Sequence, residues 1–133
     1  MVASSGTLNL PPGIGRAGEV AARVFVGENL GYEIAETNFC VREGEIDIVA
    51  RDAAADCVVF IEVKTRTNRA FGTGAEQISD RKAQRLQSAA QRYLSQNDLD
   101  NVDWRIDLIS LEMSKSGQVR AIEHIQSAIE DQT

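Results

Sequence analysis

The chain has 133 residues, with 14 basic against 20 acidic side chains, a net charge of −6, two cysteines and a single histidine. This length suits one domain with a real core and is too short for two. No apolar run approaches membrane-spanning length, Met1 to Thr7 lacks the basic end and hydrophobic stretch of a signal peptide, and Cys40, Cys57 and His124 are too scattered for a Cys/His zinc site. The expectation is a cytoplasmic protein with reduced cysteines and no membrane association. Its negative total also argues against tight, unspecific binding to a polyanion.

Met1 to Gly13, with Pro11-Pro12-Gly13, reads as a flexible lead, and residues 14–133 as a single domain. Ala17 to about Glu28 reads as a helix with Val20, Ala21, Val24 and Phe25 at helical spacing and Ala22 and Val26 broadening the apolar sector, its end loosened by Gly27 and Gly31. Glu19 falls at the border of that apolar sector, which by pattern alone makes it a solvated first-turn residue favoured by the helix dipole. Three strands are predicted next, over Tyr32 to Asn38, Gly44 to Val49 and Phe60 to Arg66, with the small polar segment Arg51 to Asp56 as the turn between the last two. A loop with two glycines follows, from Arg66 to Gly74.

Ser79 is a good N-cap for a helix from Asp80 to about Leu94, whose stripe contains Leu86, Ala89, Ala90, Tyr93 and Leu94. Lys82 lies on that stripe in the first turn, so its ammonium needs a carboxylate or phosphate partner unless its stem snorkels to water. Trp104 to Ile109 and Val119 to Ile125 make two further strands around the turn residues Ser114 to Gly117. Arg105 and Asp107 share a face and suit a structural pair; His124 suits a capping or packing role. The order predicts an α/β domain with a mixed central sheet flanked by helices.

Two of these strands carry the chemistry. In Phe60-Ile61-Glu62-Val63-Lys64-Thr65-Arg66, side chains alternate, so Glu62 and Lys64 project together while Ile61 and Val63 point the other way; Asp47 leaves Ile46 and Ile48 in the same manner. If Asp47 faces Glu62, the hairpin midpoint falls between Ala54 and Ala55, inside the connection. Two carboxylates and an ammonium then converge. Like charges so close raise each other's proton affinity, and a divalent cation relieves them. Mg²⁺ or Mn²⁺ would take Asp47, Glu62, a backbone carbonyl such as that of Val63, and water, with Lys64 orienting a hydroxide or stabilising a phosphate. A solvated hairpin face with an ordinary ion pair is the competing reading of the same residues.

The whole chain resembles the YraN-like uncharacterised proteins, placed by their fold in the restriction-endonuclease-like or PD-(D/E)XK superfamily, close to archaeal Holliday-junction resolvases. The resemblance runs from Gly15-Arg16-Ala17-Gly18-Glu19 through Gly31-Tyr32, Asn38-Phe39, Gly44 to Asp47, Phe60 to Arg66, Phe71-Gly72, Lys82, Arg85-Leu86 and Arg105 to Asp107, ending near His124-Ile125. It implies a three-layer restriction-endonuclease-like domain with a nuclease-like site in which Asp47, Glu62 and Lys64 match the superfamily motif and Glu19 matches an extra helix glutamate of resolvase-like members. The chain departs from the pattern at Ile46, where the superfamily has proline, and between Glu19 and Gly31, where it is about one residue longer.

These readings together imply a Mg²⁺- or Mn²⁺-dependent endonuclease acting on DNA, including branched DNA. Lys64, Arg66, Arg69, Arg81, Lys82, Arg85 and Arg92 crowd into one third of the sequence, where Arg66, Arg69, Lys82 and Arg85 are the phosphate-contact candidates; a solubilising helix surface explains the arginines equally well. A homodimer suits a substrate with two strands to cut, although no zipper-like seam supports one. Two rivals stay open: a nucleic-acid-binding module of the same fold that does not hydrolyse, and an interaction subunit that pairs through a hairpin edge.

Overall fold

The computed structural model describes residues 11–67 and 78–129. Gly13, at φ 83, opens helix α1 (Ile14–Val24), three residues before the start expected from the apolar spacing. The helix buries Ile14, Gly15, Gly18 and Ala22, and continues into a π-helical turn (Phe25–Asn29) in which Val26 is buried. That turn is closed by the Leu30 N–H on the Phe25 carbonyl at 3.0 Å, a span of five residues. A π turn holds one residue more than an α turn, and here it keeps Val26 on the inner face.

Two members of the expected stripe are a correction: Val20 and Val24 are 45% and 50% exposed, while Ala21 and Phe25 pack against the core. The inner face is instead the small one, because Gly18 lies against Thr65 so closely that a Cβ there would stand 2.9 Å from the threonine Cγ2 and closer still to its Oγ1. Hydropathy gives glycine no weight, whereas close backbone approach depends on it. The register of the whole helix is turned accordingly.

Five strands follow the expected order with longer bounds: β1 (Glu33–Val41), β2 (Gly44–Asp52), β3 (Cys57–Arg66), and, after helix α2 (Asp80–Gln96), β4 (Asp103–Met113) and β5 (Val119–Ile129). They lie side by side in the order β1-β2-β3-β4-β5. All neighbours are antiparallel except β3 and β4, which run parallel because α2 carries the chain back across the sheet. Ser79 caps α2 as expected, its Oγ accepting the Lys82 N–H at 3.1 Å, and Leu86, Ala89, Ala90, Tyr93 and Leu94 are all buried.

One helix covers each face, which makes a three-layer α/β domain. On the α1 face, Ile14, Ala22 and Val26 meet Ile48, Ile61, Val63 and Ile109. On the α2 face, Leu86, Ala90 and Tyr93 meet Phe39, Ile46, Val49 and Phe60, with the Tyr93 ring edge-on to Phe39 and Phe60 at 5.2 and 5.7 Å. Ile48-Val49-Ala50 and Val59-Phe60-Ile61 are therefore continuous apolar runs, as expected where a strand is covered on both sides.

A polar cluster ties β4 and β5 together on the α1 face. Asp107, fully buried, accepts from Arg105 Nε at 3.0 Å and from the Ser127 N–H at 2.9 Å, and lies 2.8 Å from His124 Nε2. Arg105 also donates to the Tyr32 hydroxyl at 2.7 Å and pairs with Asp52 at 3.4 Å. Burial works against the Arg105 charge, yet the hydrogen bond and the charge of Asp107 raise its pKa. The structural pairing of Arg105 with Asp107 holds, and His124 belongs to the same cluster.

Gly18→Ala should lower stability by about 1–3 kcal/mol through overpacking against Thr65. In chemical denaturation, combining it with Thr65→Ala should recover most of that loss; strictly additive losses would count against the contact.

Candidate functional site

The β2–β3 hairpin has the register that brings Asp47 to Glu62: Ile48 pairs with Ile61, Val49 with Phe60 and Ala50 with Val59. Beyond Ile48 the ladder stops. The Val63 N–H, which a continued ladder would direct to the β2 backbone, donates instead to Asp47 Oδ2 at 2.8 Å. The two strands separate here, and the side chain of Asp47 fills the place of a backbone acceptor.

This local break corrects the expected alternation. Ile46 and Ile48 pack on opposite faces of the sheet, Ile46 with α2 and Ile48 with α1. The β1–β2 register runs through the change, with Thr37 opposite Ile48 and Phe39 opposite Ile46, and Asn38 between them sits at φ 54. A left-handed residue turns the ribbon over at the level of Asp47, and asparagine tolerates that conformation better than most side chains.

Asp47 and Glu62 are 3% and 2% exposed, so the picture of a solvated hairpin face does not hold. Burial first, and then the charge and hydrogen bond of the adjacent Glu62, push the Asp47 carboxyl well above its usual range despite the Val63 N–H. Glu62 is met from the other side by Lys82, whose Nζ stands 3.2 Å from Glu62 Oε2 with a quarter of its side chain exposed. Of the alternatives read from the sequence, the carboxylate partner is the one realised.

Glu19 belongs to the same neighbourhood, which apolar spacing alone did not indicate. With α1 turned onto its glycine face, Glu19 is half-buried, and burial, assisted by Glu45 and Glu62 against the pull of Arg23, raises its pKa. Glu45 is the acidic residue the sequence reading left out of the site. The period-2 step from Asp47 back to Glu45 was the signal for it. Lys64, half-buried, is pushed down by burial first and then by the nearby cations Lys82 and Arg66, against the favourable field of Glu62. Arg66 is half-buried at the end of β3, and Arg85 is exposed on α2, its carbonyl beside Gly44. Arg69 lies outside the described residues, as does most of the glycine loop.

The arrangement offers hard oxygen donors at a point where two carboxyl groups already compete for a proton, and this donor chemistry fits Mg²⁺ or Mn²⁺. Asp47 and Glu62 would hold such an ion, with Glu19 and the Val63 carbonyl as the further candidates. Among the described residues no three acidic, histidine or cysteine side chains are grouped as a finished metal shell. Water would complete the coordination, as Mg²⁺ usually requires.

Asp47→Asn should stabilise the protein at neutral pH. Well below the unfolded-chain value of 3.8 both states carry the proton and nothing is gained. As pH rises, the unfolded chain ionises while the folded one holds its proton, so the wild type loses stability progressively up to the raised folded-state pKa. Asparagine can still accept from Val63 without that penalty. The expected gain at pH 7 is about 1–3 kcal/mol, shrinking toward pH 4, read as thermal midpoints across that range.

Comparison with known sequences adds the family. A family model described as "Uncharacterised protein family UPF0102" matches residues 18–111. A UPF0102 protein of Desulforamulus reducens is 37% identical over 117 residues, covering 87% of this chain and 94% of that protein. One from Pelobacter propionicus is 39% identical over 116 residues, 87% of this chain and 81% of the relative, and one from Acetivibrio thermocellus is 38% identical over 127 residues, 92% and 95%. The matched span contains Glu19, Asp47, Glu62, Lys64 and Lys82, and the chain belongs to the UPF0102, or YraN-like, family.

Proposed function

We propose that this protein is a Mg²⁺- or Mn²⁺-dependent endonuclease that hydrolyses phosphodiester bonds in DNA, including branched DNA. The observation that carries this reading is the buried Asp47–Glu62 pair at the separated end of β2 and β3, with Lys64 on the same strand and Glu19 beside it. A structural role for two adjacent buried carboxyls is costly, because each disfavours the other's charge. The resemblance of Asp47, Glu62 and Lys64 to the PD-(D/E)XK motif, and of Glu19 to the resolvase glutamate, supports the same assignment.

When bound, the cation would lower the pKa of a coordinated water and offset charge on a phosphoryl oxygen. Asp47 and Glu62 would hold the ion from strands of the sheet, with Asp47 fixed by the Val63 N–H. Lys64 orients the attacking hydroxide or stabilises the crowded phosphate. Arg66, Lys82 and Arg85, with Arg69, supply cations to the backbone of the nucleic acid. Attack on two strands suits a homodimer, and a cytoplasmic setting agrees with the free cysteines Cys40 and Cys57. No helix among the described residues is long and apolar enough to cross a membrane.

The Lys82–Glu62 ion pair favours one alternative, a binding module that never hydrolyses, since it compensates Glu62 without a metal. Cleavage of labelled single-stranded, duplex and four-way-junction DNA with Mg²⁺ or Mn²⁺ separates the two. Asp47→Asn and Lys64→Ala should each reduce the wild-type rate by roughly 100-fold or more. DNA that is bound but left intact by the wild type under all these conditions would select the binding module.

A further inference from the structure

Lys82, one of the phosphate-contact candidates, is held by an acid of the proposed metal site. It stands in the first turn of α2, where the positive end of the helix dipole disfavours a lysine, and its ammonium reaches Glu62 Oε2 at 3.2 Å. Its backbone is fixed, because the Lys82 N–H is held by the Ser79 cap. Its side chain is not enclosed: a quarter of it meets solvent, whereas Glu62 is almost fully buried. A lysine stem has four rotatable carbons, so the ammonium can leave the carboxylate without moving the helix.

The electrostatic surroundings favour such a departure when a cation binds. Lys64 and Arg66 come from the same strand as Glu62 and are carried by its backbone, while Lys82 reaches in from a different element. Burial already disfavours the charge on Lys64, and the nearby Lys82 and Arg66 add to this against the pull of Glu62. A dication entering at Glu62 adds two positive charges beside an ammonium that stands 3.2 Å from one of its oxygens. Displacement of Lys82 removes the competitor and one unit of charge together.

Resting on the reading of Asp47 and Glu62 as a divalent-cation site, we propose that Lys82 is an exchangeable counter-ion: it compensates Glu62 in the metal-free protein and, when a divalent cation takes that carboxylate, turns to a phosphate of the nucleic acid. Metal binding and DNA binding are thereby coupled through one side chain. The ammonium has a partner in both states, so it is never buried alone. By linkage, the metal tightens DNA binding and DNA tightens metal binding by the same factor.

Two measurements on the full chain test this, both independent of turnover. Mn²⁺ affinity is measured by calorimetry for the wild type, Lys82→Gln and Lys82→Arg; affinity for a labelled four-way-junction DNA is measured by anisotropy in Ca²⁺ and in EDTA. Lys82→Gln should bind Mn²⁺ about tenfold more tightly than the wild type, having lost the competing charge-assisted contact, and Lys82→Arg should stay close to the wild type. Ca²⁺ should tighten DNA binding by the wild type and by Lys82→Arg, but much less by Lys82→Gln. Unchanged or weaker Mn²⁺ binding in Lys82→Gln, with the wild type binding normally, would overturn the exchange and leave Lys82 a structural ion pair. Absence of Mn²⁺ binding in both the wild type and Lys82→Gln would instead overturn the divalent site itself, and the exchange with it.

Discussion

The hydrogen bond from the Val63 N–H to Asp47 decides what this fold can hold. The hairpin register would set Val63 opposite Ile46, and a regular ladder would bond their backbones. Opening two buried strands normally leaves an orphaned N–H, at a cost of about 1–3 kcal/mol. Asp47 supplies the missing acceptor from a side chain, at 2.8 Å, so the strands part without that loss. The opening then admits Lys82 from one helix and Glu19 from the other, although these helices lie on opposite faces of the sheet.

The supporting elements are set by equally local constraints. Gly18 against Thr65 fixes how closely α1 approaches β3, and this rotation turns Glu19 toward Glu62 rather than toward solvent. Ser79 fixes the start of α2 and with it the point from which Lys82 reaches inward. Asp107 binds Arg105, His124 and the Ser127 backbone, which anchors β5 to β4. Buried Asp107 and buried Asp47 are therefore different cases: one is surrounded by cations and N–H groups, the other is paired with a second acid.

Much of this was legible in the sequence. The spacing of Leu86, Ala89, Ala90, Tyr93 and Leu94 marked the buried stripe of α2 correctly, because large side chains at helical period dominate its packing. The symmetric placement of Asp47 and Glu62 about the Ala54–Ala55 turn gave the right register, since turn position and pairing are geometrically linked. The face of α1 was misread because its contact is made by Gly15, Gly18 and Ala22, which contribute closeness rather than hydropathy. The reversal at Asp47 was not legible either: it depends on Asn38 in an adjacent strand adopting φ 54, a conformation that alternation rules assume away.

Net charge is a poor guide to what such a site attracts. The chain carries −6 overall, and a polyanion far from any specific contact meets mainly repulsion. Close to the opened strands the balance differs, for Lys64, Arg66 and Lys82 gather around Glu62 and beside Asp47, whose proton is held by burial. Acids and cations there lie side by side, and the acids offset what the cations offer a phosphate. A divalent ion on those carboxylates would reverse the local sign without altering the field farther away. Under the function proposed above, such a protein would meet nucleic acid weakly over most of its surface and more strongly at that one point once a cation had satisfied its carboxylates.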